Sequence, residues 1–92
     1  MTLPTIHLNG TSVEALMEAN DAVYDALQNV MNKFAAASPN GRDYYTQGPE
    51  AFGKAVEEHE ARTRAVYAVM RELETIGEYL ATEQEKRRNP RA

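Results

Sequence analysis

From Pro49 to Arg88 the chain reads PEAFGKAVEEHEARTRAVYAVMRELETIGEYLATEQEKRR, with no proline after the first residue and no turn cluster. Phe52, Val56, His59, Thr63, Val66, Met70, Leu73, Gly77 and Leu80 fall at alternating spacings of four and three, and Val69 and Ile76 widen the stripe. That period places them on one face of a helix. About 40 residues at 1.5 Å each make a rod of about 60 Å, far too long to bury its own stripe. Everything else in the chain is therefore read as cover for it.

Pro49 suits a first helical position, where no N–H is needed, and Glu50 suits the positive end of the helix dipole. At the other end Lys86, Arg87 and Arg88 complement the negative end, and Asn89-Pro90 stops the helix. The second helix is thus expected over residues 49–88, with a tail over 89–92.

Upstream, Val13, Leu16, Asn20, Val23, Leu27, Val30 and Phe34 repeat the same spacing, with Met17, Tyr24 and Met31 one position on. Thr11 with Glu14 matches a capping box, which satisfies the free N–H groups of a helix start. A first helix over residues 12–36 follows, ended by the Ser38-Pro39-Asn40-Gly41 run. Residues 37–48 are the loop, longer than the two to eight residues usual between bundle helices. Residues 1–11 form an arm: Ile6 and Leu8 alternate with His7 and Asn9, a pattern suited to an extended segment on an apolar surface.

The fold class expected is all-α: an antiparallel two-helix hairpin with an extended N-terminal arm. A tight return places Phe34 near Phe52, Leu27 near His59 and Val13 near Leu73. The shorter helix then leaves Ile76, Tyr79 and Leu80 uncovered, and Ile6 and Leu8 of the arm are expected to contact Ile76 or Leu80. At 92 residues the chain is one domain with a small core. Dimerisation into a four-helix bundle is the expected cover for what remains, closed two-fold association being the commonest solution.

The residue inventory removes support for several function classes. With no cysteine there is neither a disulfide framework nor a thiol nucleophile. Ser12 and Ser38 have no histidine nearby in sequence, and the glycines do not form a phosphate loop. EEHE around His59 resembles a metal or acid–base site, but the positions three and four away hold Ala55, Val56, Arg62 and Thr63, so no second ligand shares its face. His7 is remote, in the arm. No catalytic, metal or cofactor set is expected, and the chain reads as a non-enzyme. The N-terminus lacks a basic region and an apolar core, and no run approaches the roughly 18 apolar residues of a membrane span, so a soluble cytoplasmic protein is expected.

The formal charge of -4 is uneven: five acids face two bases before Pro49, and nine face eight after it. Glu14, Glu18, Asp21 and Asp25 share a helix face; solvation explains it, and a partner supplying arginines is the sharper alternative. The basic tail of Lys86, Arg87, Arg88 and Arg91 offers weak, salt-sensitive attraction to phosphate, so nucleic acid is an unlikely partner.

Two groups remain as candidates for interaction. Asn20, His59 and Thr63 are polar positions in an apolar seam, where a buried polar residue can fix register and oligomeric state or be merely tolerated. The loop holds Arg42, Asp43, Tyr44 and Tyr45, residue types enriched in binding hot spots. Its plainer reading is a plug, with both rings folded over Phe34 and Phe52 and the charges paired with helix ends.

TIHLNGTS at Thr5–Ser12, PNGRDYY at Pro39–Tyr45 and the following QGPEAF resemble short proteins encoded by tailed bacteriophages and prophages. The resemblance covers most of the chain, from the arm into the second helix. It implies a bacterial host cytoplasm and carries no catalytic role. The leading expectation is a self-associating assembly or interaction factor with an unidentified protein partner. The alternative is a nucleic-acid-associated accessory protein using the basic tail, and a third reading is an enzyme with a site shared between subunits.

Overall fold

The computed structural model describes residues 1–89 and shows two long helices packed antiparallel. Helix α1 spans Val13–Ala36 and α2 spans Ala51–Arg88. Two short 3-10 turns, Gly41–Asp43 and Tyr45–Gln47, lie between them. The chain is a rod with principal extents of 66 × 24 × 20 Å.

The cap of α1 is Ser12, whose Oγ accepts from the Ala15 N–H at 3.1 Å. The Thr11–Glu14 box is therefore replaced by a single cap: a capping side chain must immediately precede the first helical residue, here Ser12, and Ala15 has no acceptor to complete a box. Helix α2 also begins later than Pro49. Pro49 and Glu50 form a turn after Gly48, whose φ of 114° is open to glycine at little steric cost. At the far end α2 stops at Arg88 with Asn89 as its cap; the Pro90 stop and Arg91 fall outside the described residues.

The pairing register differs from a tight return. Phe34 meets His59 edge-on, with ring centroids 5.7 Å apart, and the Asn20 side-chain amide donates to the Leu73 carbonyl at 3.0 Å. Phe34 thus faces a residue one heptad beyond Phe52. The physical reason is the connection: its two 3-10 turns carry the chain along the axis before α2 starts, and Tyr44, rather than Phe34, lies beside Phe52 at 6.4 Å.

Extended to the other end, this register puts Val13 opposite Leu80. Val13 is buried and Leu80 is the most enclosed side chain at 1% exposure. Val13 of α1 is thus level with Leu80, and the arm is tied to the same stretch of α2. Tyr79 donates its hydroxyl to the Pro4 carbonyl at 2.6 Å, and Arg87 donates from Nη2 to the Ile6 carbonyl at 2.8 Å. The arm therefore runs back along the last turns of α2, held through its own carbonyls. Ile6 is half-buried, whereas Leu8 is 99% exposed, against the expected contact with Ile76 or Leu80. Leu8 and Asn9 form a turn, closed by the Gly10 N–H donating to the His7 carbonyl, and this turns Leu8 outward.

Candidate interaction surface

The two flanks of the hairpin differ in chemistry. Successive residues of a helix lie about 100° apart. Tyr24 donates to Glu74 Oε1 at 2.9 Å, which fixes which flank of α1 adjoins which flank of α2. That bond holds the Tyr24 hydroxyl above its ordinary pKa of 10.0, since the neutral phenol is the donor and the carboxylate opposes a second charge. Arg71 lies over the Tyr67 ring at 5.2 Å on the same flank. Glu14, Glu18, Asp21 and Asp25 border an open cleft with Met17 there. This is the charged flank.

Val23 precedes Tyr24 by one residue and so points about 100° away; Val30 lies about 120° away in the same direction. On α2, Val69 is about 140° from Glu74, again toward the opposite flank. Val23 is 49% exposed and Val69 44%, and Val30 is exposed as well. Leu16 and Ile76, both half-buried, continue the strip. On α1 the second flank is thus a run of aliphatic side chains, whereas on α2 the exposed charges Arg62 and Glu72 lie beside Val69; half-buried Ile6 of the arm is held near the end by Arg87.

The seam itself uses Met17, Asn20, Tyr24, Leu27, Met31 and Phe34, all half-buried. The periodicity admits two stripes at identical spacing, one through Val23 and Val30 and one through Tyr24 and Met31. Tertiary pairing selects the second. A signal was present in part: Tyr24 offers a hydroxyl that reaches Glu74, which a valine cannot supply.

The polar seam residues have different surroundings. Asn20 reaches the Leu73 carbonyl across the interface, and Gly77 clears its path: a Cβ at 77 would lie 3.3 Å from Asn20 Nδ2. His59 packs its ring on Phe34. Thr63 donates to the Glu60 carbonyl at 2.8 Å, within its own helix. Asn20 alone makes a side-chain hydrogen bond between the helices at the backbone, and no cluster of three potential metal ligands occurs among the described residues.

The loop separates its two tyrosines. Tyr44 is half-buried beside Phe52, while Tyr45 is 74% exposed, so only one ring acts as a plug. Arg42 and Asp43 are exposed and form no ion pair among the described residues. Their place is set by the backbone, with the Arg42 N–H donating to Asn40 Oδ1 at 3.0 Å. Of the basic tail, Lys86 and Arg87 both pair with Glu83, at 3.4 and 3.0 Å. Two of the four bases thus have a surface carboxylate beside them, which weakens their attraction to phosphate. No helix among the described residues is long and apolar enough to cross a membrane.

Comparison with protein-family models, with curated proteins and with solved structures finds no match to this chain. Any functional reading rests on the surfaces themselves.

Proposed function

We propose that this chain is a self-associating helical hairpin that acts, without catalysis, as an assembly or interaction factor, and that its working form is a homodimeric four-helix bundle. One observation carries the reading: the aliphatic flank of Val23, Val30 and Val69 is open on a chain that exposes 7024 Å². A compact monomer of 10.3 kDa exposes about 5,400 Å². The excess of about 1,600 Å² per chain lies within the range that obligate homodimers bury. Two helices have one shared seam, and a second copy doubles the faces available for burial.

In this reading the charged flank and the exposed Tyr45 remain free for a further protein partner. The resemblance of Thr5–Ser12 and Pro39–Tyr45 to phage and prophage proteins supports a role inside a bacterial host during phage development. The test is the dependence of thermal unfolding on chain concentration. For a dimer that unfolds to separate chains, raising the concentration about 100-fold raises the melting temperature by roughly 5–8 °C. A midpoint that does not move with concentration defeats the proposal.

A further inference from the structure

The outer side of α1 carries a second apolar repeat. Half-buried Leu16, then Ala19, Val23, Ala26, Val30 and Lys33, with Ala37 as the helix cap, alternate at spacings of three and four, and large residues alternate with alanines until Lys33. Near its end a shallow hollow of ≈ 280 Å³ is lined by Asn29, Val30, Lys33, Phe34 and Ala37. Four of these, at 30, 33, 34 and 37, form the four-residue socket that receives one side chain of a facing helix in knobs-into-holes packing. Nothing from the chain's own α2 occupies the hollow.

We infer that the occupant is Leu16 of a second copy, with α1 packed antiparallel on α1 about a two-fold axis between Val23 and Ala26. This deepens the self-association reading and rests on it. The choice of register follows from volume. With the axis there, Val23 faces Ala26 of the second copy and Val30 faces its Ala19, so every central layer pairs one large side chain with one small. Packing of that kind lets helix axes approach to about 8 Å, the short end of the usual range. The same register sets Leu16 over the socket of the second copy, twice by symmetry. Lys33, the one charge on the stripe, lays its stem along Leu16 and keeps its ammonium in water.

The α1 stripe also avoids like-charge contact. The acids of α1, Glu14, Glu18, Asp21 and Asp25, lie on its opposite side, so two copies of α1 meet here without bringing those carboxylates together. Docking through the charged flank would set the two acidic rows against each other. A symmetric pair therefore has one favourable face and one unfavourable face. The second copy uses the valines.

The chain has no cysteine, so single thiols report the docking directly. Val23→Cys and Ala26→Cys chains are mixed and oxidised, with Tyr67→Cys on the other flank as the control. The inferred register brings the Val23→Cys and Ala26→Cys backbones within the 4.4–6.8 Å Cα range of a disulfide, and the mixed covalent dimer should exceed the Tyr67→Cys dimer at least about 10-fold. Val23→Glu should in addition weaken association about 100-fold or more, because it sets a carboxylate in the dry centre of the contact. Light scattering on the same unoxidised samples separates the failures. A dimer mass with Tyr67→Cys linking and the mixed pair not linking overturns this docking and leaves self-association standing. A single-chain mass removes both.

Discussion

Replacing Gly77 by alanine sets two effects of known size against each other at one point of the seam. Glycine in a helix interior costs about 0.8–1.0 kcal/mol relative to alanine, so propensity alone predicts that gain. Against it, the new Cβ would sit 3.3 Å from Asn20 Nδ2, closer than ordinary contact. The amide must retreat by a few tenths of an ångström, which stretches its 3.0 Å bond to the Leu73 carbonyl toward the limit of useful geometry. That bond has a net worth of about 0.5–1.5 kcal/mol. The two effects cancel to within about 0.5 kcal/mol, so Gly77→Ala alone should be nearly neutral. In an Asn20→Ala background the opposing effect is gone, and the same change should stabilise by about 0.8–1.0 kcal/mol. The double-mutant cycle should therefore show a coupling of about 1 kcal/mol. Gly53, which has nothing within 4 Å of an added Cβ, is the control for uncrowded substitution. The assay is urea unfolding followed by helical ellipticity at one fixed chain concentration. Equal stabilisation by Gly77→Ala with and without Asn20 refutes the claim that glycine is there to admit the amide.

The arm and loop give further tests. Arg87 chiefly, then Lys86, hold the Glu83 carboxyl below its ordinary value of 4.5. A lowered folded value means that the carboxylate's contribution is fully present above pH 4.5 and is lost as pH falls through the folded value; Glu83→Gln should flatten that acid limb of the stability profile. Tyr79→Phe removes the donor to the Pro4 carbonyl and should cost about 0.5–1.5 kcal/mol, with faster proteolysis of residues 1–9; an unchanged cleavage rate means that the bond does not hold the arm. Tyr44→Ala should lower stability by about 1 kcal/mol through lost packing on Phe52, whereas Tyr45→Ala should change it by less than about 0.5 kcal/mol. Equal effects at the two positions contradict their separation by the loop.

The helical hairpin was legible because its signals are local. Apolar period and the Ser38-Pro39-Asn40-Gly41 run act within a few residues of where they stand, and they suffice for two long helices. Register was not legible. A connection of fourteen residues can turn sharply or travel along the axis, and its two 3-10 turns decide which, moving Phe34 from Phe52 to His59. The same limit applies to the seam: Val23 and Tyr24 belong to stripes of equal spacing, and only the long-range bond to Glu74 distinguishes them. Asn20 stood out as polar in an apolar row, but its acceptor is a backbone carbonyl, which side-chain patterns do not show. Leu8 alternates with Ile6 in the sequence, but the turn at Leu8 and Asn9, closed by Gly10 on the His7 carbonyl, outweighs that alternation and faces Leu8 to solvent. The valine flank emerged as the residue of this choice, since whichever stripe the seam leaves unused is left open.

If another copy of the chain covers the open flank, light scattering at micromolar concentration should give a mass of twice 10.3 kDa for the unaltered chain and a fall toward 10.3 kDa for Val23→Glu. A mass of 10.3 kDa for the unaltered, folded chain contradicts it.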